Sequence, residues 1–297
     1  MKYLSVKEVS LLWNMSERSV RNYCATGRVS GAFLTGKTWN IPETAEKPRR
    51  SNKIGGEART LLDILKDEKN SRSHGGIYHK IQIELTYNSN HIEGSRLTHD
   101  QTRYIFETNT IGVTDEGVNV DDIIETTNHF RCIDEIIENA KSKLRESFIK
   151  HLHFALKTGT SDSKKDWFAV GDYKKVPNEV GGRETTAPED VATEMKKLLA
   201  EYNGKESVTF EDIIEFHVRF ERIHPFQDGN GRVGRLIMFK ECLKHGIVPF
   251  IIEDKIKMFY YRGLNEWSRE KGYLLDTCLS AEDTFKTYLD YFRISYK

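Results

Sequence analysis

The chain has 297 residues, of which 38% are hydrophobic and 30% are charged, and only 6 are prolines. These values exclude a disordered or low-complexity protein and leave room for one large core plus a small accessory domain. The formal net charge is zero, but residues 1–50 hold nine Lys and Arg against four Asp and Glu. This excess of positive charge predicts that the N-terminal segment meets an anionic partner.

Targeting signals and metal-binding cysteine motifs are absent from the sequence. No apolar run approaches the roughly 18 residues that a membrane helix needs, and the first eight residues lack the apolar stretch of a signal peptide. We therefore expect a cytoplasmic protein with no membrane partner. The four cysteines form no C-x-x-C pair, which predicts buried thiols in place of a disulfide framework or a zinc site.

The first fifty residues predict two short helices followed by a hairpin. Ser5 and Ser16 are placed to cap the two helices, and Gly27 is expected to end the second one. Residues 32–42 then predict two short strands joined at residues 35–37. The apolar residues expected to face inward from the first helix are Val6, Val9, Leu11 and Leu12.

This order of elements resembles a winged helix-turn-helix of the excisionase and MerR type, which would occupy residues 1–50. The resemblance implies that Arg18, Arg21 and Asn22 lie on an exposed face of the second helix and contact DNA. A protein-docking module with a solvated basic face is an alternative that the sequence leaves open. Residues 51–75, which begin with a basic, Gly-containing stretch, are predicted to form a linker.

From residue 76 to residue 297 the pattern of apolar residues is helical, so we predict a mainly α domain. Residues 231–245 are apolar on nearly all sides, so this helix must lie at the centre of the domain. Ser280 is expected to cap the last helix, and residues 168–186 predict a short surface β-hairpin. The other clear helices are predicted at residues 77–93, 121–140, 189–202 and 210–222.

Residues 224–235, here called the signature segment, read HPFQDGNGRVGR. Their glycines allow backbone N–H groups to converge on an anion, and the helix N-terminus that follows adds partial positive charge. Arg232 and Arg235 are three residues apart, so both can grip phosphate oxygens from one face. Asp228 can hold Mg²⁺, whose sites usually combine one or two carboxylates with substrate phosphates. His224 can take a proton from a hydroxyl near neutral pH.

The signature segment matches the Fic family pattern H-P-F-x-[D/E]-G-N-G-R-x-x-R at every defined position, and the chain resembles that family over about residues 76–270. The resemblance implies that His224 is the general base and Asp228 the magnesium ligand. It also implies transfer of AMP from ATP to a Ser, Thr or Tyr hydroxyl of a protein target, with the chain itself as one candidate. The nucleotide-binding residues that it implies here are Gly229, Asn230, Gly231, Arg232, Gly234 and Arg235.

Two further regions resemble the family. The predicted hairpin stands where Fic enzymes pair with their target by strand addition. Its residues that would line the nucleotide are Val180, Gly181, Gly182 and Arg183. Tyr260 and Tyr261 precede the position where relatives place adenine-pocket residues. An ordinary surface hairpin and an aromatic pair in the core are the alternatives.

Residues 89–94 fit the inhibitory pattern [S/T]-x-x-x-E-[G/N] that some Fic proteins carry. Ser89 and Glu93 are four residues apart and therefore share one helix face, and Gly94 is expected to end that helix. The resemblance implies that Glu93 pairs with Arg235 and competes with the γ-phosphate for that cation. The chain would then belong to the self-inhibited class, with its inhibitory helix near residues 77–93.

Other functions stay open on the sequence alone. A DNA-binding transcription regulator whose Fic domain senses ATP is one of them. A Fic enzyme that removes AMP, or that transfers another phosphate-containing group, is the other. Doc-type relatives, which phosphorylate their target, carry Lys in place of the second glycine of the pattern. Gly231 leaves room there for the β-phosphate, which favours AMP transfer.

Overall fold

The computed structural model describes residues 2–25, 29–36, 38–48, 59–72, 75–112 and 117–296. The chain divides into two compact units, Met1–Glu57 and Ala58–Lys297. Gly27, which is predicted to end the second helix, and Lys37, in the predicted turn of the hairpin, lie outside the described residues.

The described residues of the first unit form two helices and three short strands. The strands form an antiparallel sheet in the order β1-β3-β2. Ser5 caps the first helix in a capping box with Glu8, and Ser16 Oγ accepts a hydrogen bond from Ser19 N at 3.2 Å. The elements are β1 (Tyr3–Leu4), α1 (Val6–Leu12), α2 (Glu17–Ala25), β2 (Phe33–Thr35) and β3 (Thr38–Pro42).

The inward face of α1 differs from the prediction. Leu11 and Leu12 are 76% and 66% exposed, so the expectation that they face inward is wrong. The buried positions are Val6, Val9 and Trp13. Their spacing of three, four and seven residues already fills the inner face of a two-turn helix, so Leu11 and Leu12 are turned away from it.

The second unit is mainly helical with one small β-hairpin, as predicted. Its elements are α3 (Leu61–Ser71), α4 (Ile77–Ile92), α5 (His99–Thr108), α6 (Val120–Asn139), α7 (Glu146–Lys157), β4 (Glu179–Val180), β5 (Arg183–Glu184), α8 (Pro188–Asn203), α9 (Phe210–Ile223), α10 (Asn230–His245), α11 (Lys257–Glu266) and α12 (Gly272–Phe292). The helices predicted from apolar spacing begin and end within about two residues of these bounds.

Helix α10 is the central helix of the second unit, as its all-round apolar character predicts. Every residue from Asn230 to Leu243 is buried, and the helix packs against α4, α6, α7 and α9. Gly246 ends it in a left-handed conformation, with φ of 69°. Because the helix begins inside the unit, its N-terminus faces side chains from several neighbouring helices.

Two predictions for the second unit are wrong. Helix α3 lies within residues 51–75, for which a linker is predicted, and it buries Leu62 and Leu65 in the core behind a Thr60 capping box. Its many charged residues hide this narrow apolar stripe in the sequence. Ser280 does not cap a helix, because α12 has already begun at Gly272 and runs through it.

The four cysteines are buried and unpaired, as predicted. None of the helices in the described ranges is long and apolar enough to cross a membrane.

Candidate active site

The signature segment connects α9 to α10 through a loop that its own side chains close. Helix α9 ends at His224, whose φ of 49° is left-handed. Phe226 is fully buried and holds the loop in the core. Asn230 accepts from Phe226 N and donates to Phe226 O, both at 2.8 Å. The side chain of Asn230 therefore shapes the loop, and its predicted contact with phosphate stays a prediction.

His153 on α7 packs against the loop and holds it in place. It is not among the site residues predicted from the sequence. Its ring stacks on Phe226, with ring centroids 4.0 Å apart and planes at 5°. Nδ1 accepts from Gly171 N at 2.9 Å, so Nε2 carries the hydrogen and donates to the Asp228 carbonyl oxygen at 3.1 Å. Burial lowers the pKa of His153 to about 3, so the ring is neutral at neutral pH.

The geometry of His224 leaves one ring nitrogen available as a base. Nδ1 lies 3.3 Å from the carbonyl oxygen of Glu221, which can only accept, so Nδ1 carries the hydrogen and Nε2 keeps its lone pair. Burial lowers the pKa of His224 to about 4, which keeps the imidazole neutral at pH 7. The Glu221 carboxyl lies beside it, and burial together with the charge of Glu93 raises the pKa of Glu221 to about 8.

The N-terminus of α10 has the features of an anion site. Gly229 occupies the cap position with φ of 81°, and no side chain in the described part of the chain caps the helix. Its first N–H groups therefore keep the partial positive charge of a free helix end. A side chain at Gly231 would lie 2.9 Å from Arg235 Nη1 and closer still to the Glu93 carboxylate. Gly234 is needed for packing, because His217 and Glu221 lie against it.

Arg235 is buried and bound by the end of α4. Its Nε donates to Ser89 Oγ at 3.0 Å, and its Nη2 donates to the Ser89 carbonyl oxygen at 2.9 Å. Nη2 also contacts Glu93 Oε1 at 2.7 Å. Glu93 is the C-cap residue of α4, and Gly94 follows it with φ of 98°. The contact that the inhibitory pattern predicts between Glu93 and Arg235 is therefore present.

Arg232 and Asp228 belong to a second cluster of charges. Arg232 Nη2 donates to Asp228 Oδ2 at 3.0 Å, and Arg232 Nη1 pairs with Glu125 of α6. Lys157, at the end of α7, donates to the same Asp228 Oδ2 at 2.7 Å and also pairs with Glu125. Burial opposes the ionised form of Asp228, but the charges of Arg232 and Lys157 outweigh it and hold the pKa well below its usual range. Neither Glu125 nor Lys157 is among the site residues predicted from the sequence.

The donor set around Asp228 fits a magnesium ion that takes most of its ligands from a nucleotide. The Asp228 side chain is 46% exposed and ionised, so it can offer an oxygen ligand. In the described ranges no three His, Cys, Asp or Glu side chains converge to hold a metal by themselves. Mg²⁺ bound by one carboxylate, phosphates and water needs no such convergence.

The predicted hairpin is present as β4 and β5, paired through Val180 and Arg183. Gly181 and Gly182 form its turn, with φ of 58° and 74°, values that favour glycine. All four residues are exposed.

The base of the hairpin is bonded to the signature segment. Lys174 N donates to the Pro225 carbonyl oxygen at 2.9 Å, and Asn178 Nδ2 donates to the Phe226 carbonyl oxygen at 3.1 Å. The Lys174 ammonium contacts the Asn178 side-chain oxygen at 2.7 Å. These bonds fix the hairpin beside the predicted base and anion site.

The two predicted adenine-pocket tyrosines have different surroundings. Tyr260 is 1% exposed, and its hydroxyl lies 2.6 Å from His217 Nε2. Its ring packs in the core near Arg235, and its predicted adenine contact stays a prediction. Tyr261 is partly exposed and donates to the Ile92 carbonyl oxygen at 3.0 Å. It therefore contacts the last turn of α4, next to Glu93.

The residues predicted to contact DNA lie in the first unit. Arg18, Arg21 and Asn22 are exposed on α2. Arg21 forms an ion pair with Glu17 at 2.6 Å.

Comparisons with known proteins show that the second unit is similar to Fic domains. Residues 143–242 match the model of the Fic/DOC family. The protein adenylyltransferase Fic of Aedes aegypti is 26% identical over 185 residues, which cover 60% of this chain and 36% of that protein. The protein of the same name from Drosophila melanogaster is 27% identical over 264 residues, which cover 84% of this chain and 51% of the relative. This chain thus spans about a third to a half of the length of these curated relatives.

Solved structures agree with this fold. A Fic domain containing signaling protein from Bacteroides thetaiotaomicron has a TM-score of 0.61 at 26% identity, covering 77% of this chain and 94% of that one. A fragment of Fic-1 from C. elegans has a TM-score of 0.62 at 19% identity, covering 78% of this chain and 71% of that one. The second similarity shows the fold alone.

Proposed function

We propose that this chain transfers AMP from ATP to a Ser, Thr or Tyr hydroxyl of a protein, and that Glu93 inhibits this reaction. One observation carries the proposal. At the uncapped N-terminus of α10 the structure gathers an imidazole with a free Nε2, an ionised carboxylate and two buried arginines. The curated relatives named protein adenylyltransferase support the choice of reaction.

The reaction requires a base, a phosphate site and charge compensation. His224 Nε2 removes the proton from the attacking hydroxyl as its oxygen bonds to the α-phosphorus, and the bond from that phosphorus to the bridging oxygen breaks, so that pyrophosphate leaves. Arg232 and Arg235 bind phosphate oxygens, and the N–H groups of the first turn of α10 add hydrogen bonds. Asp228 would hold Mg²⁺, which would supply compensation for the negative charge of the phosphates.

Inhibition follows from the position of the Glu93 carboxylate. It contacts Arg235 at 2.7 Å and lies against Gly231, so it occupies the anion site at the start of α10. A γ-phosphate must displace this carboxylate to reach Arg235. Two negative groups cannot share one buried guanidinium without a large Coulomb cost.

The first test replaces Glu93 with glycine. Glu93→Gly removes the competing carboxylate, so we expect transfer of label from α-labelled ATP to the protein itself to rise by about tenfold or more. Label from γ-labelled ATP should not be transferred, because the γ-phosphate leaves in pyrophosphate. An unchanged or lower α-label signal would remove the inhibitory role of Glu93, and transfer of γ-label would indicate phosphorylation.

A second substitution controls for the chemistry. In the Glu93→Gly background, His224→Ala should lower the transfer rate by about 100-fold or more, which is the usual contribution of a general base. Binding of ATP, measured by calorimetry, should be largely retained. Undiminished transfer without His224 would require another base. A loss of AMP from pre-modified protein upon restoring Glu93 would instead favour the AMP-removing alternative.

The first unit supports a second function. We propose that α2 binds DNA in the manner of a winged helix-turn-helix, through Arg18, Arg21 and Asn22. The exposure of this face and the excess of basic residues in residues 1–50 favour it. DNA binding would suit a regulator of transcription, with the nucleotide site serving as the sensor of ATP.

Filter binding with duplex DNA tests this second function in the full chain. Replacing both Arg18 and Arg21 with glutamate should abolish binding, and wild-type affinity should fall steeply between about 50 and 200 mM salt. Lys205→Glu is the matched control, because Lys205 is an exposed cation on the second unit. Equal binding by all three proteins would leave α2 without a role in DNA contact.

A further inference from the structure

Lys157 is a buried cation that the proposed chemistry does not use. Its side chain is 2% exposed, and its ammonium contacts three carboxylates, those of Glu125, Asp162 and Asp228. The distances are 3.2 Å to Asp162 and 2.7 Å to Asp228. A buried ammonium is stable only when it is paired in this way, so the three carboxylates and Lys157 form one unit.

The charges around Asp228 are balanced before any ligand arrives. Glu125 and Asp228 contribute two negative charges, and Lys157 and Arg232, each of which contacts both carboxylates, contribute two positive charges. Asp162, which also contacts Lys157, has a more exposed partner of its own in Lys165, at 2.6 Å. A divalent cation approaching this cluster meets no net negative charge. It also meets an ammonium already bound to the carboxylate that would be its ligand.

We propose that Lys157 is a positioning residue for Asp228 and acts as a resident counter-cation, so that a divalent metal binds only together with a nucleotide. Lys157 and Arg232 both hold Oδ2 of Asp228, which fixes the orientation of the carboxylate. Phosphate oxygens then supply the negative charge and the further ligands that the balanced cluster lacks. This inference rests on the proposed role of Asp228 as a metal ligand.

Electron paramagnetic resonance with Mn²⁺ as the probe tests this inference in the full chain. Wild-type protein alone should leave the signal of free Mn²⁺ unchanged, and it should immobilise Mn²⁺ when α,β-methylene ATP is added. Lys157→Met removes the counter-cation, so we expect it to bind Mn²⁺ without nucleotide at least about tenfold more tightly than wild type does. Adding Asp228→Ala to Lys157→Met should abolish the gained site.

Lys165→Met is the matched control. Lys165 contacts Asp162 of the same cluster, but its side chain is 45% exposed and its charge is screened by water, so Mn²⁺ binding should stay at the wild-type level. Equal Mn²⁺ affinity of wild type and Lys157→Met, with folding confirmed by circular dichroism, would overturn the inference. If Lys157→Met does not fold, the measurement on the wild-type protein tests the inference. Mn²⁺ binding of similar affinity with and without the nucleotide analogue would then overturn the inference.

The test separates this inference from the proposed function. If Glu93→Gly transfers no label from α-labelled ATP but the Mn²⁺ pattern holds, the role of Lys157 stands and the proposed reaction is wrong. If transfer occurs and the Mn²⁺ pattern fails, only the role of Lys157 falls.

Discussion

Gly231 lies next to both partners of the proposed inhibitory contact, Glu93 and Arg235. An added methyl group would lie 2.9 Å from Arg235 Nη1 and against the end of the Glu93 side chain. The flexible glutamate can move away, but the methyl would then fill the space that a phosphate needs. Gly231 is not in the left-handed region, so its backbone conformation does not require glycine. In the proposed function, glycine leaves room there for an anion at the helix N-terminus.

We expect Gly231→Ala to lower AMP transfer by about 100-fold in the Glu93→Gly background, which is the usual effect of losing one preorganised contact to a developing charge. The melting temperature should not fall, because alanine favours a helix over glycine by about 1 kcal/mol. Gly117→Ala is the control, since an added methyl group there meets no described atom within 4 Å. Full transfer by Gly231→Ala would place the phosphates elsewhere.

At the scale of the element, α7 shows why the sequence reveals only part of the site. His153 and Lys157 fall on the same helical stripe as Ile149, Leu152 and Leu156, which face the core. A histidine and a lysine on an apolar stripe are a readable signal of buried polar contacts. The partners of these two side chains cannot be predicted from the sequence, because only tertiary packing brings α7 against the signature segment.

Helix α10 carries a buried charge pair at its far end, and this pair yields a stability prediction. Lys240 and Glu241 are almost fully buried, and Lys240 Nζ also donates to the Ser142 carbonyl oxygen at 2.8 Å. Lys240→Met leaves a buried carboxylate with weaker partners, so we expect the free energy of unfolding to fall by about 3 kcal/mol in urea titrations. Lys244→Met, a more exposed neighbour of the same carboxylate, should change it by less than about 1 kcal/mol.

Replacing both partners, in Lys240→Met with Glu241→Leu, should recover part of the loss because no charge is then left buried. A double variant that is less stable than Lys240→Met would contradict this account.

For the molecule as a whole, local patterns predicted most of the fold and packing decided the rest. The central position of α10 followed from its all-round apolar character, whereas the contact of Glu93 with Arg235 followed from the resemblance of residues 89–94 to the inhibitory pattern. The prediction that Ser280 caps a helix failed because serine also occurs inside helices. The prediction that Leu11 and Leu12 face inward failed because a short helix buries only one narrow face. Burial of Tyr260 depends on α9 and α12 packing around it, which no short pattern reports.

Buried histidines make the stability of the whole second unit depend on pH. Burial lowers the pKa of His129, His153 and His217 to about 3, and that of His224 to about 4. Below about pH 6.5 these histidines bind protons in the unfolded chain but stay neutral in the folded chain. The free energy of unfolding therefore decreases as the pH falls from about 6.5 towards the lowered pKa values. At pH 5 each of these histidines lowers the free energy of unfolding by about 2 kcal/mol.

Glu221 acts in the opposite direction. Because its pKa is raised to about 8 in the folded state, protonation of Glu221 stabilises the folded state as the pH falls, and this gain offsets the loss from about one histidine. We therefore expect the urea midpoint to fall clearly between pH 7 and pH 5. His217→Gln should make the decrease smaller, and a midpoint independent of pH would mean that these rings ionise freely in the folded protein.

The division of the chain at residue 58 has a practical consequence for reading mutant phenotypes. Every contact described for the candidate active site, from Ser89 to Tyr261, is made inside the second unit, whereas the basic face of α2 belongs to the first. If the proposed functions hold, we expect loss of DNA binding and loss of AMP transfer to be separable defects that can be scored independently in one full-length protein.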